Sequence, residues 1–167
     1  MRPSRLVAIH QPNFFPWLGY FDKLVRSDVF VLLDHVQYPK TGGSWLNRVQ
    51  LLLGGEPRWV TAPIVRSVHG VRPVAEVAFQ PGNPWREKLV RSLAAHYARA
   101  SHFRPTMALL EPVIMNPEPM LARYNAAAVI AIAEAIGVDT RHVRWSSDLS
   151  VSGTSTDMLI DVTRRVG

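Results

Sequence analysis

Residues 6–9 (Leu6-Val7-Ala8-Ile9) are apolar without alternation, the pattern of a strand buried on both faces, and the run stops at His10-Gln11-Pro12. Pro12 and Pro16 bracket a stiff turn, and Pro16 suits the first turn of a helix, where a missing N–H is no loss. Trp17, Leu18, Phe21, Leu24 and Val25 then recur at helical spacing as far as Ser27-Asp28. Residues 29–33 are again apolar throughout and close on Asp34-His35. Strand, helix and strand within about thirty residues make a βαβ unit, whose right-handed crossover leaves the two strands parallel. The polar groups that follow them, His10 and Asp34, therefore emerge at one edge of a sheet, the edge where open α/β sheets bind ligands.

Further along, residues 48–53 and 58–65 flank Gly54-Gly55-Glu56-Pro57 and read as a β-hairpin, with a further short strand expected at 74–79. Pro81, Gly82 and Pro84 break the chain, and Asn83 is the expected N-cap of a helix at 84–99. Helices follow at 104–114 and 118–136, the second rich in alanine and closed by Gly137. A strand at 142–145 and a last helix at 157–166, capped by Thr154, Ser155 or Thr156, complete the pattern. The fold expected is a single α/β domain over 1–167, with a parallel-sheet Rossmann-like core, a β-hairpin insertion and a helical C-terminal half.

Composition narrows the class. At 167 residues the chain should bury roughly 70% of its unfolded surface, so it needs no covalent staples. With 47% hydrophobic and 19% charged residues it is not a disordered or highly charged tail. The absence of cysteine excludes disulfides, thiolate metal sites and cysteine nucleophiles. No apolar run suits a membrane span or a secretory leader, so a cytoplasmic protein is expected. The net charge of +6, from sixteen Arg and three Lys against 13 acidic residues, favours an anionic partner, a phosphorylated or nucleotide-bearing small molecule above all. Nucleic acid ranks last, because the charge is dispersed along the chain.

Three clusters carry candidate chemistry. His10, with Gln11 and Asn13 beside it, could act as general base, proton donor or metal ligand at the sheet edge. Asp34, with His35, Gln37 and Lys40, follows the neighbouring strand; strands lie about 4.8 Å apart, so its carboxylate could orient the His10 imidazole or share a metal with it. Lys40, Asn47 and Arg48 flank a glycine-bearing loop in which backbone amides can approach an anion, although the Walker spacing is absent. The sequence contains no H-E-x-x-H, G-x-S-x-G or G-x-G-x-x-G motif, no metal site is expected, and no cofactor is indicated. Trp59, Trp85 and Trp145 read as core or interface, and the helix bearing Arg86, Lys88, Arg91 and Arg99 as a solvated face.

The run from Ile9 to Lys23 (IHQPNFFPWLGYFDK) resembles the opening signature of the WbqC-like family, as do Leu33-Asp34-His35-Val36-Gln37-Tyr38-Pro39-Lys40, Trp45-Leu46-Asn47-Arg48 and Trp59-Val60-Thr61-Ala62-Pro63-Ile64. Family motifs fall on His10, Gln11, Pro12, Tyr20, Lys23, Asp34, Gln37, Asn47 and Arg48, which adds Tyr20 and Lys23 to the substrate-binding candidates. The resemblance implies an enzyme of surface-glycan or natural-product biosynthesis, a transferase of acyl or aminoacyl groups acting on a nucleotide-linked amino sugar or similar small metabolite. In this expectation His10 and Asp34 are catalytic, and Gln11, Asn13, Tyr20, Lys23, Gln37, Lys40, Asn47 and Arg48 bind substrate. Members often carry a second acidic residue where His35 stands here, and they continue past the last helix, so the resemblance implies a chain truncated at its C-terminus. A non-catalytic ligand-binding or partner module is the alternative. A third reading is a nucleotidyltransferase-like enzyme with a degenerate HIGH motif, in which Trp17 and Tyr20 stand where histidines would.

Overall fold

A computed structural model describes residues 5–39, 44–65 and 72–167. Strand β1 (Val7–His10), helix α1 (Leu18–Arg26) and strand β2 (Val29–Leu32) form the βαβ unit that the hydrophobic pattern predicts. The strands are parallel with His10 opposite Leu32, and the ladder continues one step further as the Leu33 N–H donates to the His10 carbonyl at 2.8 Å. A third parallel strand, β5 (Val143–Trp145), pairs with the far side of β2, placing Trp145 opposite Leu32. The order β1-β2-β5 runs in one direction. The reversal of strand order that marks a Rossmann-like sheet is not formed among the described residues.

The hairpin is the antiparallel pair β3 (Arg48–Leu53) and β4 (Glu56–Thr61). Its loop is tighter than the sequence suggests: Leu53 pairs with Glu56, and Gly54 and Gly55 alone turn the chain, with φ of 65° and 84°. Two successive left-handed residues are what a two-residue turn of matching twist demands, and glycine supplies both without a Cβ penalty. The strand expected at 74–79 does not form. Its first residues make a short 3-10 turn, Val74–Glu76, because the Val74 and Ala75 N–H groups donate to the Val36 and Asp34 carbonyls (2.9 Å each) rather than to a neighbouring strand. Only isolated bridges, Ala78 to Met120 and Phe79 to Ile64, retain sheet character.

Helices α2 (Trp85–Tyr97), α3 (Phe103–Ile114), α4 (Leu121–Ala135) and α5 (Ser155–Val166) make up the C-terminal half with β5. Pro84, not Asn83, precedes α2, and no side chain caps that helix. Arg86 corrects the reading of α2 as a solvated face. Its guanidinium lies 4.5 Å over the Trp85 ring and donates to the Glu118 carbonyl at 2.9 Å.

Two apolar clusters share α4. Ala126, Val129 and Ala133 pack with Tyr20, Phe21 and Leu24 of α1 and with Phe30 and Leu32 of β2. One turn earlier, Leu121, Ala122 and Tyr124 join Phe14, Leu46, Phe79, Trp85 and Ile114, against which Val49, Leu51 and Val60 of the hairpin rest. Small side chains on α4 allow this close approach on two sides. Between the clusters, fully buried Asn125 donates one amide hydrogen to the Pro12 carbonyl (2.8 Å) and the other to the Leu46 carbonyl (2.7 Å). It thereby fixes the turn after β1 to the loop before β3.

Replacing Asn125 by Ala strands two buried carbonyls and should cost about 2–4 kcal/mol of stability. Asn125→Asp, which offers those carbonyls no donor and adds charge, should cost more. Urea unfolding midpoints of the three proteins check both statements; an alanine variant as stable as the parent would remove the role given to this amide.

Candidate functional site

The carboxyl ends of β1, β2 and β5 deliver His10, Asp34 and the pair Ser146-Ser147 to one edge of the sheet. Asp34 is held on every side. Its N–H donates to Ser146 Oγ (3.0 Å), and its carbonyl accepts the Ala75 N–H (2.9 Å). Its Oδ1 accepts from Ser146 Oγ (2.9 Å) and from the Ser147 N–H (3.0 Å), while Oδ2 accepts from Ser147 Oγ (2.8 Å). Asp34 is only 4% exposed, and Ser146 only 1%. With its one proton directed at Asp34, Ser146 Oγ is left to accept from His35 Nδ1 at 2.6 Å. His35 Nε2 is buried without a hydrogen-bond partner among the described residues.

Asp34 and Ser147 line a pocket of about 460 Å³ together with Ala75, Ala122, Arg123, Trp145 and Asp148. The volume is within the range of small-molecule sites. Arg123 reaches it from the first turn of α4 and Asp148 from the 3-10 turn Ser147–Leu149 after β5. Neither makes a hydrogen bond or ion pair among the described residues, and the two do not pair with each other.

His10 stands one strand away, anchored by its own neighbours and not by Asp34. Its Nδ1 lies 3.1 Å from the Gln11 carbonyl, which can only accept, so Nδ1 carries the proton. The same carbonyl accepts the Tyr20 hydroxyl at 3.1 Å, and the Tyr20 ring sits 4.7 Å beneath the imidazole. Burial lowers the His10 pKa below its ordinary value; the Gln11 hydrogen bond works against that shift, and the Lys23 charge adds to it. The neutral ring therefore dominates at pH 7, with Nε2 as an acceptor that has no partner among the described residues. Burial raises the Tyr20 pKa, which keeps its hydroxyl a donor.

The other predicted residues divide by what their polar atoms already do. Asn47 accepts from the Tyr38 hydroxyl (2.9 Å) and donates to the Ala62 carbonyl (3.0 Å), so it braces the loops. The Arg48 guanidinium lies 4.2 Å over the Trp59 ring. The side chains of Gln11 and Asn13 make no hydrogen bond among the described residues. Gln37 is exposed and bridges Pro73, and Lys23 is exposed on α1. Lys40 lies outside the described residues.

Sequence reasoning missed Ser146, Ser147, Asp148 and Arg123. The first three were within reach: they follow the apolar end of β5 as Asp34 follows that of β2 and as His10 closes β1. Arg123 is one exposed arginine among sixteen and carries no such signal.

What these groups define is a mixed α/β chain with a polar pocket at the carboxyl edge of a parallel sheet. The chain belongs to the WbqC-like protein family, whose model matches residues 11–167. It is also similar to a protein of Mycobacterium tuberculosis that bears the name "Uncharacterized protein Rv1507c": the two are 30% identical over 146 residues, covering 86% of this chain and 62% of that one. The chain thus spans about three fifths of that relative's length. No solved structure matches it. Among the described residues no helix is long and apolar enough to cross a membrane.

A histidine whose folded pKa is lowered binds fewer protons in the folded state than in the unfolded one. Its contribution to stability is therefore present above the unfolded value of 6.5 and declines as pH falls through the folded pKa. His10→Gln should flatten the pH dependence of stability below pH 6.5 relative to the parent. Chemical denaturation between neutral and mildly acid pH measures this, and identical slopes for the two proteins would contradict the burial assigned to the ring.

Proposed function

We propose that this chain is a group transferase of surface-glycan or natural-product biosynthesis. It binds a phosphorylated or nucleotide-linked small molecule, an amino sugar among the candidates, at the carboxyl edge of the sheet. The observation that carries the reading is His10: a neutral imidazole with Nδ1–H fixed to a carbonyl and Nε2 without a partner among the described residues. That is the protonation and orientation a general base needs. The ring stands at the end of the strand that pairs with β2, after which Asp34 enters the pocket wall; His10 itself is not among the residues that line the pocket.

In an acyl or aminoacyl transfer the acceptor's amine or hydroxyl attacks the carbonyl carbon of an activated ester or thioester. Its proton passes to His10 Nε2 as the new bond forms. The bond to the donor's carrier then breaks, the carrier leaves with the electron pair, and it takes the proton back from the imidazolium. Asp34, with both oxygens engaged by Ser146 and Ser147, acts as a fixed acceptor in the pocket wall and not as the partner of His10. Of the predicted binding set, Gln11 and Asn13 keep hydrogen-bonding capacity for substrate, whereas Tyr20 and Asn47 use theirs to hold the loops.

The test is product formation from amino-sugar nucleotides and acyl thioesters, followed by mass spectrometry for the mass of the transferred group. His10→Ala should lower the rate about 10²–10⁴-fold with the fold intact, and the parent rate should reach its plateau below neutral pH. A folded His10→Ala protein with parental turnover removes the base from this scheme. Ligand binding without any turnover would instead make the chain a binding module.

A further inference from the structure

The charges lining the pocket specify more than an anionic ligand. Arg123 offers a guanidinium, Asp148 a carboxylate and Asp34 a second carboxylate, all in one cavity of about 460 Å³. If the surface alone governed these side chains, an arginine and an aspartate facing one cavity would be expected to pair, as Arg165 does with Asp161 at 2.9 Å and Arg26 with Asp22 at 2.8 Å. Arg123 and Asp148 stay apart, each without a partner among the described residues. Asp34 adds a direction. Three of the roughly four lone-pair sites of its carboxylate are filled by Ser146 and Ser147, and both filled sites of Oδ1 belong to them, so the remaining capacity is on Oδ2. Formally the lining carries two negative charges and one positive, a pattern that repels a phosphate offered alone and suits a cation with an anion nearby.

We infer that the pocket selects a ligand carrying a primary ammonium close to an anionic group, the ammonium held by Asp148 with Asp34 Oδ2 and the anion by Arg123. Carboxylate acceptors match the three N–H donors of an ammonium, and the planar guanidinium matches a carboxylate or phosphate in bidentate fashion. Trp145 supplies an apolar wall, and Ala75 and Ala122 leave room beside it. The inference rests on the reading that this pocket is the substrate site and names what that site reads. Two kinds of molecule share this chemistry, an amino sugar bearing phosphate and a free α-amino acid.

Calorimetric titration of the full chain separates them and tests the idea without requiring turnover. The probes are UDP-glucosamine, UDP-N-acetylglucosamine, L-alanine and N-acetyl-L-alanine. In at least one of the two pairs the free amine should bind ten or more times tighter than its N-acetylated form, and the pair that does so identifies the source. Asp148→Asn should reduce that preference several-fold, whereas Arg123→Gln should weaken both members of the pair by similar factors. Both variants change exposed side chains, and thermal melting checks that each remains folded. Equal affinity for amine and N-acetyl forms in both pairs overturns the inference while leaving the site intact. A preference that survives in Asp148→Asn overturns it as well. If UDP-N-acetylglucosamine and UDP-glucosamine bind equally and Arg123→Gln changes neither, the pocket itself is not the substrate site, and the reading beneath the inference fails with it.

Discussion

The amide of Asn125 is the point on which the rest of the architecture converges. A βαβ unit and a hairpin have no intrinsic reason to sit in one orientation. Here the turn that leaves β1 and the loop that enters β3 both present a carbonyl to the same buried side chain. A hydrogen bond formed in a dry interior is costly to leave unmade, so the pair of bonds sets position more than it adds net stability. The Phe14 N–H, donating to the Trp45 carbonyl at 2.8 Å, reinforces the same junction. Phe15 beside it has a φ of 43°, a left-handed conformation that a phenylalanine holds only when its surroundings impose it. Its ring is held against Phe14 and Tyr124. The loop carrying Gln11 and Asn13 is therefore built rigidly from the core outwards, as a loop presenting functional groups needs to be.

Asp34 and His10 illustrate how a shared edge differs from a shared hydrogen bond. Both come at the strand ends that the alternation-free apolar runs predict; the register sets His10 opposite Leu32, and Asp34 comes two residues further along. A carboxylate, however, takes the nearest good donors, and β5 brings Ser146 and Ser147 closer than the neighbouring imidazole. The imidazole in turn finds the carbonyl of its own successor, Gln11. The result separates two tasks. Asp34 fixes the end of β5, with His35 attached through Ser146, while His10 keeps an open ring nitrogen. Lone-pair geometry decides this division, and strand order alone does not reveal it.

Much of the frame was legible in the chain. The unalternating run of β2, the paired glycines of the hairpin and the alanine-rich α4 each leave a local signature that tertiary packing did not override. By contrast β1, at the edge of the sheet, is only half-buried along its length, and Pro16 lies before Trp17, the N-cap of α1. Residues 74–79 were misread because their apolar content resembles a strand, while their N–H groups are used by carbonyls of the loop after β2, a long-range choice invisible to a local window. Ser146 and Ser147 show a rule applied to two strands and not to the third. Arg123 is different: one exposed arginine on a helix is indistinguishable from its fifteen counterparts until the fold brings β5 beneath it.

Net charge is where sequence-level reasoning and local structure part most clearly. An excess of six positive charges points towards anionic partners, yet many of the cations are occupied within the chain. Arg26, Arg141 and Arg165 pair with aspartates. Arg48 and Arg86 lie over indole rings, and Arg144 donates to the Arg141 and Val143 carbonyls. Such residues contribute to the total charge while their guanidiniums are engaged within the chain: those paired with aspartates are locally neutralised, and the field of the others is screened by salt over about 10 Å. A charge that a concave wall leaves without a partner acts more strongly on a ligand, because the ligand displaces water there and meets a lower dielectric. Among the described residues the pocket holds one such guanidinium, Arg123, and one such carboxylate, Asp148, with the buried carboxylate of Asp34, so the local sign is mixed although the global sign is positive.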